Sequence, residues 1–268
     1  MFHFFRKIRR ELHAEGKLVR YFWYALGEVL LVMVGILLAL QASDWVESKQ
    51  NANSEARYIA NLMRDLELQL EEIDNQLIAS QQMYDSLSIV VKTFSKPGPI
   101  RVDKELIMRM SAMVDRRTFT VKDPTLSALL SSGDLALMQN ESFKDEMIKY
   151  YQKLERMELI ILKNNDTKDL TLMPKAFELI ETIGPEGFKR EKFTGYQRIP
   201  DTFVDFDESQ LQVDTINTIL ESPQNKLTLI NIIRYRHALL FSDINMMESA
   251  KKATNDLIML LNGYNETL

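Results

Sequence analysis

The chain has 268 residues with 46% hydrophobic and 26% charged side chains and a formal net charge of −5, proportions of a folded protein with one or two domains. Cysteine is absent, which excludes disulfides, thiolate nucleophiles, iron–sulfur clusters and cysteine zinc sites. With only 9 Gly and 7 Pro, long helices are favoured over a turn-rich sheet, and we predict an all-α fold.

The first predicted element is a basic arm, residues 1–20. Apolar residues alternate there with Arg6, Lys7, Arg9 and Arg10, a pattern typical of a short amphipathic helix lying on anionic lipid. A solvated basic flank that only sets membrane topology is the other open interpretation. After residue 44 acidic residues outnumber basic ones, so we predict that the chain does not bind nucleic acid.

Residues 21–44 are predicted to form a transmembrane helix. The stretch from Tyr21 to Gln41 contains a single carboxylate, Glu28. It is long enough to cross roughly 30 Å of hydrocarbon at about 1.5 Å per residue. Aromatic residues flank it as two interfacial belts would, with Tyr21, Trp23 and Tyr24 at its start and Trp45 at its end.

The charges around this helix predict its orientation. Basic residues precede it while Asp44, Glu47 and Lys49 follow it, so the positive-inside rule places the N-terminus in the cytoplasm and the large domain outside. The rival interpretation is a cleaved signal peptide, whose apolar core would be shorter and would end in an A-x-A-like site. Ala42 has Leu40 two positions before it, which favours an uncleaved anchor in the lipid bilayer.

Small residues and one carboxylate are the candidate contact sites of the span. Gly27, Gly35 and Ala39 offer small-residue faces, and the pair Gly35 and Ala39 has the spacing that permits close helix packing. A carboxylate inside a span is costly and tends to face a partner, water or another helix. Glu28 therefore has three open roles: stabilising helix association or reaching toward headgroups, contacting a partner subunit, and relaying protons.

Residues 45–268 are predicted to form an extracytoplasmic helical domain that begins with a long helix over 45–95. Apolar residues recur there in two heptad series, Ala52, Ile59, Leu66, Ile73, Leu87 and Phe94, and Ala56, Met63, Leu70, Leu77, Tyr84 and Val91. Lys49 and Ser80 break the pattern, and a solvated face is predicted for Arg64, Asp65, Glu67, Glu71, Glu72 and Asp74. This period predicts a coiled-coil or bundle seam.

A bundle over residues 100–262 is predicted to follow the turn at 96–99. We expect a helix over 103–114 and an extended piece over 117–122. A helix from Pro124 to Gly133 and one of about 24 residues capped by Asn140 come next.

The second half of the bundle begins with a predicted turn at 164–166 and a helix that ends at Gly184. The irregular segment 184–207 is open to two interpretations, a surface connector or a loop with a functional contact. Helices over 208–221 and 223–262 complete the predicted domain.

No residue pattern predicts catalysis. The histidines His3, His13 and His237 are too few and too scattered for a metal site, and His237 lies on an apolar stripe, as a core or edge histidine would. The run 131–134 lacks a nucleophile elbow or a phosphate loop around it, so we interpret it as a helix C-cap. We expect no catalytic residue, no metal and no cofactor.

Two segments resemble a known family. FFRKIRRELHAEGKLVRY followed by YALGEVLLVMVGILLALQASDW resembles the N-terminus of a large family of bacterial single-span proteins catalogued as a domain of unknown function. The stretch from Asp123 to Tyr151, DPTLSALLSSGDLALMQNESFKDEMIKYY, is similar to a second segment of that family. The resemblance implies a bacterial inner-membrane protein with a periplasmic helical domain, and it implies no activity.

These patterns predict a membrane-anchored, non-enzymatic interaction or scaffold protein. Its external helical bundle would bind another membrane or periplasmic protein, or a second copy of the chain. The alternative is a sensor-like or proton-coupled accessory subunit of a membrane complex, which would use Glu28. A periplasmic enzyme is the third class, and no catalytic pattern favours it.

Overall fold

The computed structural model describes residues 18–181 and 212–265, and both ranges are helical without a strand. The helices are α1 (Leu18–Phe94), α2 (Lys104–Met110), α3 (Pro124–Ser132), α4 (Glu141–Thr167), α5 (Met173–Phe177), α6 (Val213–Ile219) and α7 (Pro223–Asn265). Short 3₁₀ turns follow α2 and α3, and a π-helical turn, Lys168–Leu172, joins α4 to α5. The all-α prediction is confirmed.

Helix α1 is uninterrupted because residues 18–94 contain no proline and are rich in Leu, Ala, Met and Glu. It ends where the sequence turns to Lys96, Pro97 and Gly98, and Gly98 has a φ of 117° that a side chain would strain. The chain divides into two compact units, residues 1–57 and 58–268, and α1 contributes to both. In the first unit the described residues, 18–57, are all helical.

The second unit is organised around the part of α1 after Arg57, with α4 and α7. Helix α7 runs antiparallel to α1, since Lys251 pairs with Asp74 at 2.7 Å and His237 lies 2.8 Å from Ser88. It also runs antiparallel to α4, because the Tyr150 hydroxyl lies 3.0 Å from that of Thr254 while Lys153, further along α4, donates to Ser249 Oγ at 2.9 Å. The short helices pack around this framework.

Two apolar clusters form the core of the second unit. Cluster A contains Leu87, Met110 and Leu229 and collects residues from α1, α2, α5, α6 and α7. Cluster B contains Leu66 and Leu154 and joins α1, α3, α4 and α7. Each fully buried leucine contributes roughly 1.5–3 kcal/mol. On α1 cluster B ends at Ile73 and cluster A begins at Met83, so a gap of less apolar residues separates them.

The structure bears out one heptad series of α1 in the second unit. Buried positions of that series are Ile59, Leu66, Ile73, Leu87 and Phe94. The other series is half-buried: Met63, Leu70, Leu77, Tyr84 and Val91. The second buried column is instead Leu62, Gln69, Met83 and Val90. A search for apolar residues misses this column because Gln69 interrupts it. Ser80, which breaks the apolar pattern, is also buried, while Ala52 and Ala56 are exposed.

Helix boundaries follow the capping signals. The side chain of Asp103 accepts a hydrogen bond from the Leu106 amide at 2.8 Å at the start of α2. Asn140 does the same for the Phe143 amide at 3.0 Å at the start of α4. Gly133 ends α3 with a φ of 79°, a left-handed conformation that favours glycine. Asn140 and Gly133 serve the roles that the sequence predicts, and Asp103 caps α2 at the start predicted for that helix.

The turn predicted at 164–166 is wrong. Helix α4 continues to Thr167 and has 27 residues. Asn165 resembles a turn residue, but it is buried and its Nδ2 donates to the Arg117 carbonyl at 2.7 Å. The deviation from α-helix comes instead in the π-helical turn, where the buried positions step five residues, from Lys168 to Met173.

The remaining predicted boundaries fall partly outside the described residues. The segment 184–207 and the beginning of the predicted helix 208–221 lie there. The prediction that the preceding helix ends at Gly184 is wrong, because α5 ends at Phe177 and residues 178–180 form a turn. Within the described part, α6 covers Val213–Ile219 and α7 covers Pro223–Asn265, close to the predicted final helix over 223–262.

Candidate functional site

The first candidate site is the apolar stretch of α1 in the first unit. Among the described residues this is the one stretch long and apolar enough, by length and composition, to span a membrane. Its large apolar side chains are exposed from Phe22 to Val46, and so are Trp23 and Trp45. The side chains of Tyr21 and Tyr24 lie outside the described part of the structure. So do four residues of the basic arm, Arg6, Lys7, Arg9 and Arg10.

The helical backbone brings three of the four candidate contact residues onto one stripe. Glu28 and Gly35 are seven residues apart, and Gly35 and Ala39 are four apart, spacings that place them on one face. Gly27, one residue from Glu28, lies about 100° around the helix. A Cβ added at Gly27 or Gly35 would meet nothing within 4 Å. Among residues 18–181 and 212–265, nothing covers this face.

Lys49 and Trp45 form a contact at the end of the apolar stretch. The ammonium of Lys49 lies 5.5 Å from the centroid of the Trp45 ring, within the range of a cation–π interaction. An aromatic ring with an adjacent cation is an arrangement suited to a membrane–water boundary.

The second candidate site lies inside the bundle, and the sequence does not predict it. Residues 114–125, here called the strap, connect α2 to α3 and include a non-helical run over 115–123. Side chains of α4, the π-helical turn and α7 hydrogen-bond its first half. Lys168 Nζ donates to the Val114 carbonyl at 3.1 Å and to the Asp115 carbonyl at 2.7 Å. Arg236 Nη2 also donates to Asp115, at 3.1 Å.

Helix α1 hydrogen-bonds the second half of the strap. Gln76 Nε2 donates to the Thr118 carbonyl at 2.9 Å. The Lys122 amide donates to Gln69 Oε1 at 2.7 Å, and the Thr125 amide donates to Asp65 Oδ2 at 3.0 Å. Asp65 is therefore buried, and its predicted place on a solvated face is wrong. Its carboxylate is used by a backbone amide from another element, a contact that no local pattern reveals.

We call the side chains that bind the strap the polar layer: Asp65, Gln69, Gln76, Asn165, Lys168 and Arg236. Lys168 is 0% exposed and Arg236 is 4% exposed. Two buried cations are costly unless carboxylates and hydrogen bonds compensate them. The structure supplies that compensation chiefly through backbone carbonyls of the strap.

Carboxylates next to the polar layer balance its charge. Lys168 Nζ lies 3.1 Å from Asp169 Oδ1. Arg116 reaches both Asp169, at 2.6 Å, and Asp166, at 3.0 Å. Arg117 Nε donates to Asp115 Oδ2 at 3.1 Å. These contacts give Lys168, Arg116 and Arg117 an acidic partner each, and the charges of Asp243 and Asp115 act on Arg236 from nearby.

Burial shifts the protonation equilibria of this cluster. Desolvation, with the nearby charge of Arg236, lowers the pKa of Lys168. Desolvation lowers the pKa of Arg236 and raises the pKa of Asp243. For Asp169 burial acts to raise the pKa, but hydrogen bonds from Arg116 and Lys168 outweigh it and hold the pKa below 3.8. The shifts of Lys168, Arg236 and Asp243 indicate that the interior resists their charged forms.

The side chains of the polar layer are engaged by backbone groups of the strap. Within residues 18–181 and 212–265 no group of three or more His, Asp or Glu side chains could hold a metal ion. A groove of about 300 Å³ lies elsewhere, beside Asn140, Phe143, Met259 and Tyr264, and no carboxylate or histidine lines it. The two buried cations, Lys168 and Arg236, donate to backbone carbonyls of the strap.

Two further sequence-predicted positions have structural partners. His237 stacks on Tyr84 with ring centroids 4.2 Å apart, its Nε2 lies 2.8 Å from the Ser88 hydroxyl, and burial lowers its pKa. In the run 131–134, Gly133 ends α3 and Asp134 Oδ2 accepts a hydrogen bond from Tyr58 at 2.6 Å. Both sites hold helices together.

A signal for the polar layer does exist in the sequence. Lys168 is seven residues after the buried Ile161, and Arg236 lies between the buried Ile233 and Leu240. A charged residue at a heptad core position is a marker of a buried ion. The partners could not be named, because they are carbonyl groups of a segment more than 40 residues away along the chain.

No protein-family model, no curated protein and no solved structure matches this chain.

Proposed function

We propose that this chain is a membrane-anchored, non-enzymatic interaction or scaffold protein of the bacterial inner membrane, with residues 21–44 as its anchor. The observation that carries the proposal is the exposed apolar surface of α1 from Phe22 to Val46. Such a surface is unstable in water and stable in hydrocarbon. A helix is also the form of backbone that a bilayer tolerates, since its polar groups bond to one another.

In this proposal the N-terminus lies in the cytoplasm and the bundle lies in the periplasm. The basic residues before the span and the acidic residues after it support that orientation. The bundle presents helical surfaces for partner binding, while the anchor confines it to the membrane. The N-terminal resemblance described above favours the same placement.

The absence of cysteine makes topology directly testable. Two single-cysteine variants, Lys17→Cys in the basic arm and Lys149→Cys on an exposed position of α4, are treated with a membrane-impermeant maleimide. In cells with a permeabilised outer membrane we expect labelling of Lys149→Cys alone, and of both variants after lysis. Labelling of Lys17→Cys alone in intact cells would reverse the orientation. Release of the chain by alkaline carbonate would reject the anchor.

Self-association through the span is part of the proposal. Gly35 and Ala39 lie on an open face where a second helix could approach closely. The test is chemical crosslinking in native membranes with Gly35→Leu, and with Met33→Phe, a bulky change on the opposite face, as the control. Loss of the dimer band with Gly35→Leu alone is the expected result. Equal crosslinking of the unmodified protein, Gly35→Leu and Met33→Phe would show that the chain does not self-associate through this face.

The second candidate function, a sensor-like or proton-coupled accessory subunit, is favoured by one observation. Glu28 is a carboxylate in the apolar stretch, on the same stripe as Gly35. The variant Glu28→Gln separates the two functions. A cellular phenotype with unchanged crosslinking and unchanged membrane level would favour proton coupling, while weakened crosslinking would assign Glu28 to helix packing.

A further inference from the structure

The strap has an unusual way of satisfying its backbone. Side chains of the polar layer hydrogen-bond the backbone carbonyls of Asp115, Arg117 and Thr118. Gln69, of the same layer, accepts from the backbone amide of Lys122. Most protein backbone hydrogen bonds are made to other backbone groups. The strap is therefore held by individual side chains, each of which can release it.

The side chains that hold the strap come from three long helices. Gln69 and Gln76 belong to α1, Asn165 to α4 and Arg236 to α7. Phe119 adds one apolar anchor, buried in cluster B. The strap thus joins helices that are distant in sequence. It contacts them between the last residues of cluster B and the first residues of cluster A. Cluster B ends on α4 at Ile161, and cluster A resumes at Met173.

Opening the strap would change the environment of its two cations. Lys168 and Arg236 lose carbonyl partners when the strap leaves, but both charges then become hydrated. Hydration recovers part of the desolvation cost of a buried ion. Release of the strap therefore costs less than separation of the helices, whose apolar clusters would remain packed.

We propose that the strap, residues 114–125, is a clasp that opens as one unit, that the first two residues of α3 open with it while the rest of the helices stay folded, and that Lys168 and Arg236 hold it closed. This device is separate from the membrane anchor and does not depend on it. In the closed state the clasp ties α1, α4 and α7 together. In the open state it uncovers two cations and the apolar surface under Phe119.

The test is amide hydrogen exchange, followed by mass spectrometry, on the full chain in lipid nanodiscs. In the unmodified protein we expect strap amides, including those of Lys122 and Thr125, to exchange faster than core amides of α4 and α7. Lys168→Met keeps an unbranched side chain and removes the ammonium donor. It should raise strap exchange roughly 10- to 100-fold, the range expected from losing hydrogen bonds made by a charged group, and leave the core amides unchanged.

Lys149→Met is the matched control, a lysine of α4, the helix that leads into the π-helical turn of Lys168, and its ammonium pairs with Glu146 at the surface. It should leave strap exchange unchanged. The proposal is overturned if strap and core amides exchange at one common rate in the unmodified protein, or if Lys168→Met accelerates all helices equally. If Lys168→Met does not fold, Gln76→Ala provides the milder variant, and strap exchange that does not rise in it would also overturn the proposal.

Discussion

The apolar stretch of α1 and the polar layer of the bundle distribute side chains in opposite ways. Between Phe22 and Val46 large apolar residues are exposed, whereas in the bundle Lys168 and Arg236 are buried. In an ordinary soluble protein both would be unfavourable. The two regions differ in what compensates the cost. The bundle compensates its charges with its own carbonyls and carboxylates, while the described part of the first unit offers no apolar cover for its helix.

The role of each region follows from what compensates its unfavourable residues. The buried cations Lys168 and Arg236 have partners within the same chain, and such contacts act on the stability or the conformation of the bundle. An apolar helix that no described residue covers is unfavourable in water, and in the function proposed above it lies in the bilayer. The anchor is therefore tested by changing its surroundings, and the polar layer by changing its partners.

The largest effect is expected from a charge placed in the apolar stretch. Val32 and Leu68 are similarly exposed, at 55% and 49%. Val32→Arg should cost about 2.5–3.5 kcal/mol of membrane insertion, because an arginine near the centre of a span must leave water. Leu68→Arg should change the stability of the bundle by less than about 0.5 kcal/mol, because its site faces water. Membrane insertion assays and urea denaturation measure the two effects, and equal tolerance of both arginines would remove the distinction.

A buried and an exposed aspartate of α1 provide the next test. Asp65 accepts a hydrogen bond from the Thr125 amide, whereas Asp74 pairs with Lys251 where both side chains are more than 40% exposed. Asp65→Ala should lower the free energy of unfolding by about 1.5–3 kcal/mol, since it removes a charged acceptor from a buried amide. Asp74→Ala should cost less than about 1 kcal/mol. Urea denaturation of both variants measures this, and equal losses would show that burial of Asp65 carries no special weight.

The smallest effect concerns pH. Hydrogen bonds from Arg116 and Lys168 hold the pKa of Asp169 below 3.8. A carboxyl group whose pKa is lower in the folded state stabilises the fold above its ordinary pKa, and this contribution is lost as pH falls through the folded value. Between about pH 5 and pH 3 the unmodified protein should therefore lose more stability than Asp169→Asn.

The measurement is the urea midpoint at each pH, and Asp145→Asn, at an exposed position of α4, is the control that should follow the unmodified protein. Parallel curves for the unmodified protein and Asp169→Asn would show that the pairing of Asp169 with its two cations does not contribute to folding.

Local signals in the sequence predict much of the fold. Asp103, Asn140 and Gly133 act within one turn of the chain, so their capping roles are visible in the sequence. The all-α class and the long final helix follow from composition and apolar period. The turn at 164–166 fails because Asn165 bonds to the distant Arg117 carbonyl. The low helix propensity of asparagine is measured in solvent-exposed helices, and the tertiary contact of Asn165 overrides it.

The candidate sites divide along the same line. The apolar stretch of α1 is visible because a span is a property of consecutive residues. The polar layer depends on the strap, and a segment without regular structure has no period to detect. The position of Lys168 in the apolar pattern indicates burial but not its partners, and Asp65 resembles a surface charge until the Thr125 amide is placed beside it. The clasp is a property of the tertiary structure.

The π-helical turn between α4 and α5 contains one residue more than an α-helical turn of the same position would. Everything after it is rotated by about 100° relative to an uninterrupted helix. That rotation is what lets Lys168 meet the strap while Met173 and Ala176 reach cluster A. The turn therefore sets the rotation of α5 relative to α4. In a chain lacking the exposed Leu170, either Lys168 would keep its contact with the strap or Met173 and Ala176 would keep theirs with cluster A, but not both.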